Sequence, residues 1–196
     1  LTEEHQIGIM ADASQVILAI PQALSLGGAV AWDPYSAPAT NGDVVLFDDI
    51  VTCVSEQFSV DADRVHSLGF SNGGLMAGML LAVRPEVLAS VALMSGGLGH
   101  DFTEGARPTP TLVVWGGEAD SGSGTDFNIL AAEALATLGE RGHPLVGCDH
   151  GLGHVIDVAW WPWVFAFFAD HPMTEDGAPY AESGLPEVFP EFCFLP

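Results

Sequence analysis

Residues 64–78 read Arg64-Val-His-Ser-Leu-Gly-Phe-Ser-Asn-Gly-Gly-Leu-Met-Ala-Gly78, and this stretch decides the fold. It contains a Gly-x-Ser-x-Gly pattern at Gly69, Ser71 and Gly73, between a predicted apolar strand and a predicted helix. A serine on such a turn must adopt a strained backbone, and glycine two residues before and after is expected to prevent a collision across the turn. The context predicts a nucleophile elbow, although an ordinary glycine-rich turn is the alternative.

The elbow also has an electrostatic consequence. It places Ser71 at the N-terminus of the predicted helix Gly73–Val83, where the helix dipole favours developing negative charge. The backbone N–H of Asn72 is then predicted to point at an oxyanion. Small residues in the helix are expected to let it pack closely on the sheet, namely Gly74, Ala77 and Gly78.

Short apolar runs alternate with helical stretches along most of the chain. This order predicts an α/β fold with a mostly parallel sheet between two layers of helices. Residues 1–172 are assigned to this single domain, and residues 173–196 to an irregular C-terminal tail. The predicted strands are Val16–Ile20, Val65–Gly69, Ala89–Met94, Thr111–Trp115 and Pro144–Gly147, and the predicted helices are Asp43–Gln57, Gly73–Val83, Phe127–Arg141 and Val155–Ala169.

A nucleophile elbow implies two partners later in the chain, in the order serine, acid, histidine. The strand Thr111–Trp115 is followed by two glycines and then by Asp120, which is the predicted acid. Glu118 and Asp126 are alternatives, and a further alternative is that Asp120 is an exposed loop carboxylate without a catalytic role.

The predicted base is His154, which follows the strand Pro144–Gly147 and a glycine-rich turn. His150 is the alternative. The two histidines are four residues apart, a spacing that binds metal on a helix, but glycines separate them and no metal site is predicted. The other histidines are expected to be structural or exposed, with His66 packed against a crossover helix: His5, His66, His100, His143 and His171.

These three residues predict one chemistry. His154 takes the proton of Ser71 as its oxygen attacks an ester carbonyl, and Asp120 fixes the imidazole tautomer. Water then releases the acyl group, so the sequence predicts that no cofactor is needed.

The composition narrows the possible partners. The formal net charge is −22, and the only cations among Lys and Arg are four arginines. Such a surface repels phosphate backbones and anionic lipid heads, so binding to nucleic acids or membrane surfaces is disfavoured. Of the three cysteines, Cys148 and Cys193 are the favoured disulfide pair, which would tie the tail to the strand before His154; three unpaired thiols are the alternative.

The chain resembles the polyhydroxybutyrate depolymerase and feruloyl esterase group, of the carbohydrate-esterase family 1 type. The resemblance covers roughly residues 5–172 and is most specific from Asp61 to Gly97. It implies an α/β-hydrolase that is secreted and cleaves polyhydroxyalkanoate, feruloyl or acetyl polysaccharide esters. The matching residues are Val60–His66, Gly69–Ala77, Arg84-Pro85-Glu86, Trp32, Asp48-Asp49, Gly151–His154 and Phe167–Pro172.

By this resemblance Ser71, Asp120 and His154 keep their roles, Asn72 supplies one oxyanion donor, and Trp32 lies near the substrate. The family's chain begins earlier, with strands ending in a His-Gly loop that supplies the second oxyanion donor. The resemblance therefore implies that an N-terminal segment or a second chain completes the sheet. Two other functions remain open: an acyltransferase on the same triad, and a non-catalytic binding module.

Overall fold

The computed structural model describes residues 7–23, 25–26, 29–173 and 178–196. Among these residues no helix combines the length and the apolar character that crossing a bilayer requires. The helices and strands, in chain order, are α1 Ile7–Ala13, β1 Ser25–Leu26, β2 Ala29–Val30, α2 Gly42–Gln57, β3 His66–Phe70, α3 Asn72–Val83, β4 Ser90–Met94, β5 Thr111–Trp115, β6 Ser121–Gly122, β7 Thr125–Asp126, α4 Phe127–Glu140, β8 Leu145–Asp149, α5 Trp161–Asp170, α6 Tyr180–Ser183 and β9 Cys193–Phe194.

One sheet organises the molecule, with the strand order β3-β4-β5-β8-β9. Strands β3, β4, β5 and β8 run parallel, and β9 is antiparallel to β8. Because parallel strands end at the same edge of a sheet, the loops that follow β3, β4, β5 and β8 meet there. The predicted mostly parallel sheet is confirmed.

Helices cover both faces of this sheet. Leu93 and Val113 belong to one apolar core, which they form with α3 and α4. Met94 and Leu112, the residues adjacent to these two in β4 and β5, belong to the other core, with α1 and α5. Alternate side chains of a strand point to opposite faces, so these continuous apolar runs are buried on both sides. The predicted three-layer arrangement is therefore confirmed.

Polar residues define where the long helices begin. The side chain of Asn41 accepts hydrogen bonds from the backbone N–H groups of Asp43 and Val44 at the start of α2. The side chain of Asp126 accepts one from Ile129 at the start of α4. Such caps satisfy backbone donors that have no partner within the helix. Both helices therefore lie within a residue or so of their predicted bounds.

The strand predicted at Val16–Ile20 is wrong. This segment has no regular secondary structure, and the side chains of Val16, Ile17 and Ile20 are 45–50% exposed. A short apolar run becomes a buried strand only when neighbouring strands and helices cover it. Among the described residues no strand pairs with the outer edge of β3, so nothing brings this run into the sheet.

The C-terminal third also differs from the prediction. The helix predicted at Val155–Ala169 is α5, which begins at Trp161 instead of Val155, after a 3₁₀ turn at Val158–Trp160, and Pro162 lies in its first turn. The tail is not wholly irregular, because it contributes α6 and the edge strand β9. The predicted disulfide between Cys148 and Cys193 is confirmed, and it joins β9 to β8.

Candidate active site

Ser71 occupies the predicted strained turn between β3 and α3. Its φ of 58° and ψ of −123° are unfavourable for a residue with a side chain. Gly69 makes the turn possible, because a Cβ there would overlap the carbonyl group of Gly73. The prediction that Gly73 is equally required is wrong: a Cβ at that position would meet only the Trp32 side chain, at 3.9 Å.

The helix that follows packs against the end of β4 through its glycines. A Cβ on Gly74 would lie 2.8 Å from the carbonyl oxygen of Met94, and a Cβ on Gly78 would overlap the carbonyl oxygen of Gly97. The expected close approach is therefore confirmed at both glycines. It brings the Ser71 turn next to the loop after β4, where the backbone N–H of Ser71 donates to Met94 at 2.9 Å.

The structure brings the three predicted site residues together. The Oγ atom of Ser71 lies 2.9 Å from Nε2 of His154, and Nδ1 of His154 lies 2.7 Å from Oδ1 of Asp120. Ser71 follows β3, Asp120 follows β5, and His154 follows β8. These contacts form a continuous line from hydroxyl to imidazole to carboxylate, the geometry that a serine nucleophile requires.

The loop that carries His154 is fixed by glycine backbone contacts. The N–H of Gly153 donates to the carbonyl of Gly116 at 2.9 Å, and a Cβ on Gly116 would overlap the backbone of Gly153. Gly153 has a φ of +76°, a conformation that favours glycine. The loop therefore folds back over the end of β5 and brings the imidazole between Ser71 and Asp120.

Two phenyl rings stack on the imidazole of His154. The ring of Phe70 lies 4.7 Å from it, centre to centre, and the ring of Phe127 lies 4.6 Å from it. Both rings therefore contact the imidazole and restrict its rotation. Gly122 leaves room at the ring edge, since a Cβ there would lie 3.1 Å from Cδ2 of His154. Sequence analysis did not identify Phe70 or Phe127 as part of the site.

The carboxylate of Asp120 is completely buried. Its Oδ2 atom accepts hydrogen bonds from the hydroxyl of Ser95 and from the N–H of Gly116, both at 2.8 Å. Together with His154, these donors satisfy a charge that would be costly to bury unpaired. Sequence analysis did not assign a role to Ser95, although its position directly after β4, between the strands that carry Ser71 and Asp120, was a usable signal.

Asn72 begins α3 and has two structural connections. Its backbone N–H lies in the first turn of the helix, where no acceptor exists within the helix, and its predicted role as an oxyanion donor stays a prediction. Its side chain accepts a hydrogen bond from the N–H of Trp32 at 2.6 Å and donates one to the carbonyl of Trp32 at 3.2 Å. The Trp32 backbone therefore lies beside Asn72, the residue that follows Ser71, and the expected contact of Trp32 with a substrate stays a prediction.

The alternative site residues lie elsewhere. Glu118 is exposed, and Asp126 caps α4. His150 stacks on Trp160 at 4.5 Å and accepts a hydrogen bond from the N–H of Leu152, and burial lowers its pKa. Among the described residues, no group of three or more His, Cys, Asp or Glu residues is arranged to hold a metal ion.

The remaining described histidines are structural or partly exposed. His66 packs on a helix, but on α5, which joins β8 to the antiparallel β9, and not on a crossover helix as predicted. Its ring lies 4.9 Å from that of Phe168, and its Nδ1 lies 2.8 Å from the hydroxyl of Ser90. Burial lowers the pKa of His66 to about 4, with Arg64 contributing. Burial also lowers the pKa of His143 and of His171. His100 is half-buried, and His5 lies outside the described residues.

Comparison with known proteins gives one curated relative. No family model matches the chain. A protein named "Putative esterase NocK" from Nocardia uniformis subsp. tsuyamanensis is 34% identical over 119 residues, which cover 58% of this chain. The chain spans about a third of the length of this relative, because the match covers 34% of it.

Solved structures resemble a larger part of the chain. Arabidopsis thaliana SOBER1 has a TM-score of 0.65 and 20% identity, covering 85% of this chain and 90% of its own. A structure named sOPH has a TM-score of 0.61 and 19% identity, covering 87% of this chain and 68% of its own. At such low identities the likeness concerns the fold alone. Together with the parallel sheet and the elbow, it shows that the chain has the α/β-hydrolase fold.

Proposed function

We propose that the chain is a serine carboxylesterase with Ser71 as nucleophile, His154 as base and Asp120 as the orienting acid. The observation that carries this proposal is the unbroken line of contacts from the Ser71 hydroxyl to the Asp120 carboxylate, with distances of 2.9 Å and 2.7 Å. The carboxylate of Asp120 is buried, so it does not serve as a solvated surface charge. Ser71 has a φ of 58°, and such backbone strain typically persists where the position of the side chain is needed for function. The name of the curated relative, an esterase, agrees with this proposal.

The mechanism follows from the geometry. His154 Nε2 accepts the Ser71 proton as Oγ attacks the ester carbonyl, and the N–H of Asn72 donates to the developing oxyanion. The imidazolium returns the proton to the departing alcohol, which leaves an acyl group on Ser71. Water, deprotonated by the same imidazole, attacks this acyl group and releases the acid. The phenyl rings of Phe70 and Phe127 hold the imidazole plane throughout.

The finer function is also a proposal. The substrates are esters of the class implied by the resemblance to polyhydroxybutyrate depolymerases and feruloyl esterases, and Trp32 contacts the substrate beside Ser71. The disulfide between Cys148 and Cys193 supports secretion into an oxidising compartment. A panel of p-nitrophenyl esters of rising chain length, methyl ferulate and hydroxybutyrate oligomers separates these substrates.

The oxyanion requires a second donor. We propose that a polypeptide segment outside these 196 residues, or a second chain, supplies it and pairs with the open edge of β3. The support is that no described strand pairs with that edge, while β3 itself carries the nucleophile. Such a segment would also cover the exposed apolar side chains of Val16, Ile17 and Ile20.

Two measurements test the proposed triad and the proposed second oxyanion donor. A fluorophosphonate probe is expected to label Ser71, and labelling and p-nitrophenyl acetate hydrolysis should fall at least about 1,000-fold in Ser71→Ala and His154→Ala. His150→Ala is the matched control and should keep most of its activity. A folded protein that is not labelled would contradict the esterase. Native mass spectrometry of the labelled species tests the second donor, since an active monomer of 20.5 kDa would contradict it.

A further inference from the structure

Ser95 is held in an unfavourable conformation at the end of β4. Its φ is +40°, in the left-handed region that serine rarely adopts. The next two residues are glycines, which adopt this region readily, yet the strained position is occupied by serine. The backbone is fixed there, because its N–H donates to the carbonyl of Val114 at 2.7 Å, and the residue is only 2% exposed. A strained residue with a side chain, at a position where glycine would be relaxed, indicates that the side chain is used.

The side chain of Ser95 is directed at one group. Its hydroxyl donates to Oδ2 of Asp120 at 2.8 Å. The other oxygen of this carboxylate, Oδ1, contacts Nδ1 of His154. The carboxylate can rotate about its last side-chain bond, and the contacts at Oδ2 oppose a rotation that would turn Oδ1 away from the imidazole. Gly116 supplies the second such contact through its N–H.

We propose that Ser95 is a positioning residue for the esterase, which holds Asp120 in the orientation that His154 needs. This inference rests on the proposed function. Ser95 acts through Asp120, so its loss should change the rate of the chemical step and leave substrate binding unchanged. The strand order accounts for its placement, because β4 lies between the strand that carries Ser71 and the strand that precedes Asp120.

Because the φ of Ser95 is positive, three substitutions can separate the effect of the hydroxyl on activity from the effect of backbone strain on stability. Ser95→Gly removes the hydroxyl and relieves the strain, Ser95→Ala removes the hydroxyl and keeps the strain, and Ser95→Thr keeps the hydroxyl and adds a branched side chain. Thermal unfolding should therefore rank the variants Gly, Ala, Thr from most to least stable. Activity should rank them differently, with Thr well above Gly and Ala.

The expected result is a fall in kcat of about 10- to 100-fold in both Ser95→Gly and Ser95→Ala, with KM unchanged, as for the loss of one hydrogen bond to a charged group. If Ser95→Thr does not fold, the other two variants still test the inference. Equally reduced kcat values in Ser95→Gly and Ser95→Ala, despite their different stabilities, support a positioning role for the hydroxyl. A Ser95→Gly protein with kcat within about twofold of wild type overturns the inference. If the wild-type protein has no esterase activity that depends on Ser71, the esterase proposal is overturned, and this inference with it.

Discussion

The two edges of the sheet end differently. At one edge, β9 pairs with β8, and the disulfide between Cys148 and Cys193 links the two strands covalently. At the other edge, β3 has no further strand among the described residues. The proposed nucleophile, Ser71, follows the open strand β3, whereas the base, His154, follows the covalently closed strand β8.

The side chains near the edges differ in the same way. Beside the closed edge, Trp160, Trp163 and Phe189 are buried in one aromatic cluster. On the open side, a shallow apolar pocket lies between residues 19–21 and one face of α2, where Ile50 and Val54 line it. Among the described residues, the acid and the base follow strands that have a neighbouring strand on both sides, β5 and β8. The serine follows β3, which has a described neighbour on one side only.

Removing the disulfide should have the largest effect on stability. Its two cysteines are separated by 45 residues, and replacing both by alanine should lower the free energy of unfolding by about 2–4 kcal/mol, because the unfolded chain is no longer constrained. Denaturant unfolding of the double variant measures this. Cys53→Ala is the matched control, since Cys53 is an exposed free thiol. An equal loss in the control, or no loss in the double variant, would mean that the closed edge does not depend on the disulfide.

His66 makes the stability of the open edge depend on pH. Its folded pKa of about 4 lies below the ordinary value of 6.5, because the neutral ring is buried against Phe168. The unfolded chain therefore binds the proton more readily between these values. The stabilisation is complete above about pH 6.5 and is lost as the pH falls to about 4, by at most about 3 kcal/mol.

Urea unfolding at a series of pH values measures this loss. His66→Asn should unfold with a flatter pH dependence in that range, because Asn can still bond to Ser90 but does not titrate. The quantity to compare is the change in unfolding free energy between pH 7 and pH 4 in the two proteins. Identical changes would show that His66 is not the group that responds.

The smallest effect on stability is expected from breaking the ion pair between α2 and the residue that follows α3. The guanidinium of Arg84, the residue that follows α3, donates to both carboxylate oxygens of Asp48 at 2.9 Å and 2.8 Å, and this pairing raises the pKa of Arg84. Both side chains are partly exposed to solvent, so Asp48→Asn should cost at most about 1 kcal/mol. Asp49→Asn, the same change one residue along the helix, should cost less. If the two variants are equally stable, the ion pair does not hold α2.

Much of the site could be predicted from the sequence because the elbow is a local constraint. Gly69 and Ser71 are two residues apart, and the clash that requires glycine arises within the turn itself. The strand Thr111–Trp115 has its predicted bounds, since a run of five apolar or β-branched residues buried on both faces is itself a strong pattern. Asp120 and His154 followed from chain order, which places them at the same edge of a parallel sheet.

Other features depend on distant parts of the chain. The apolar run Val16–Ile20 resembles a buried strand in sequence, but its burial requires neighbours that the described chain does not provide. Phe70 and Phe127 stack on His154 only because the end of β3, the start of α4 and the loop after β8 converge. The strand β9 is two residues long, so no local pattern distinguishes it from an irregular tail.

The order of residues was sufficient for the elbow, for the alternation of strands and helices, and for the choice of Ser71, Asp120 and His154. These depend on local sterics and on apolar periodicity, which can be read along the chain. Folding alone determined that the Ser95 hydroxyl contacts Asp120, that two phenyl rings stack on His154, and that β3 has a single neighbouring strand within the described part of the chain. These contacts join residues that are tens of positions apart in the sequence. They form only when the strands of the sheet lie side by side, so no local pattern predicts them.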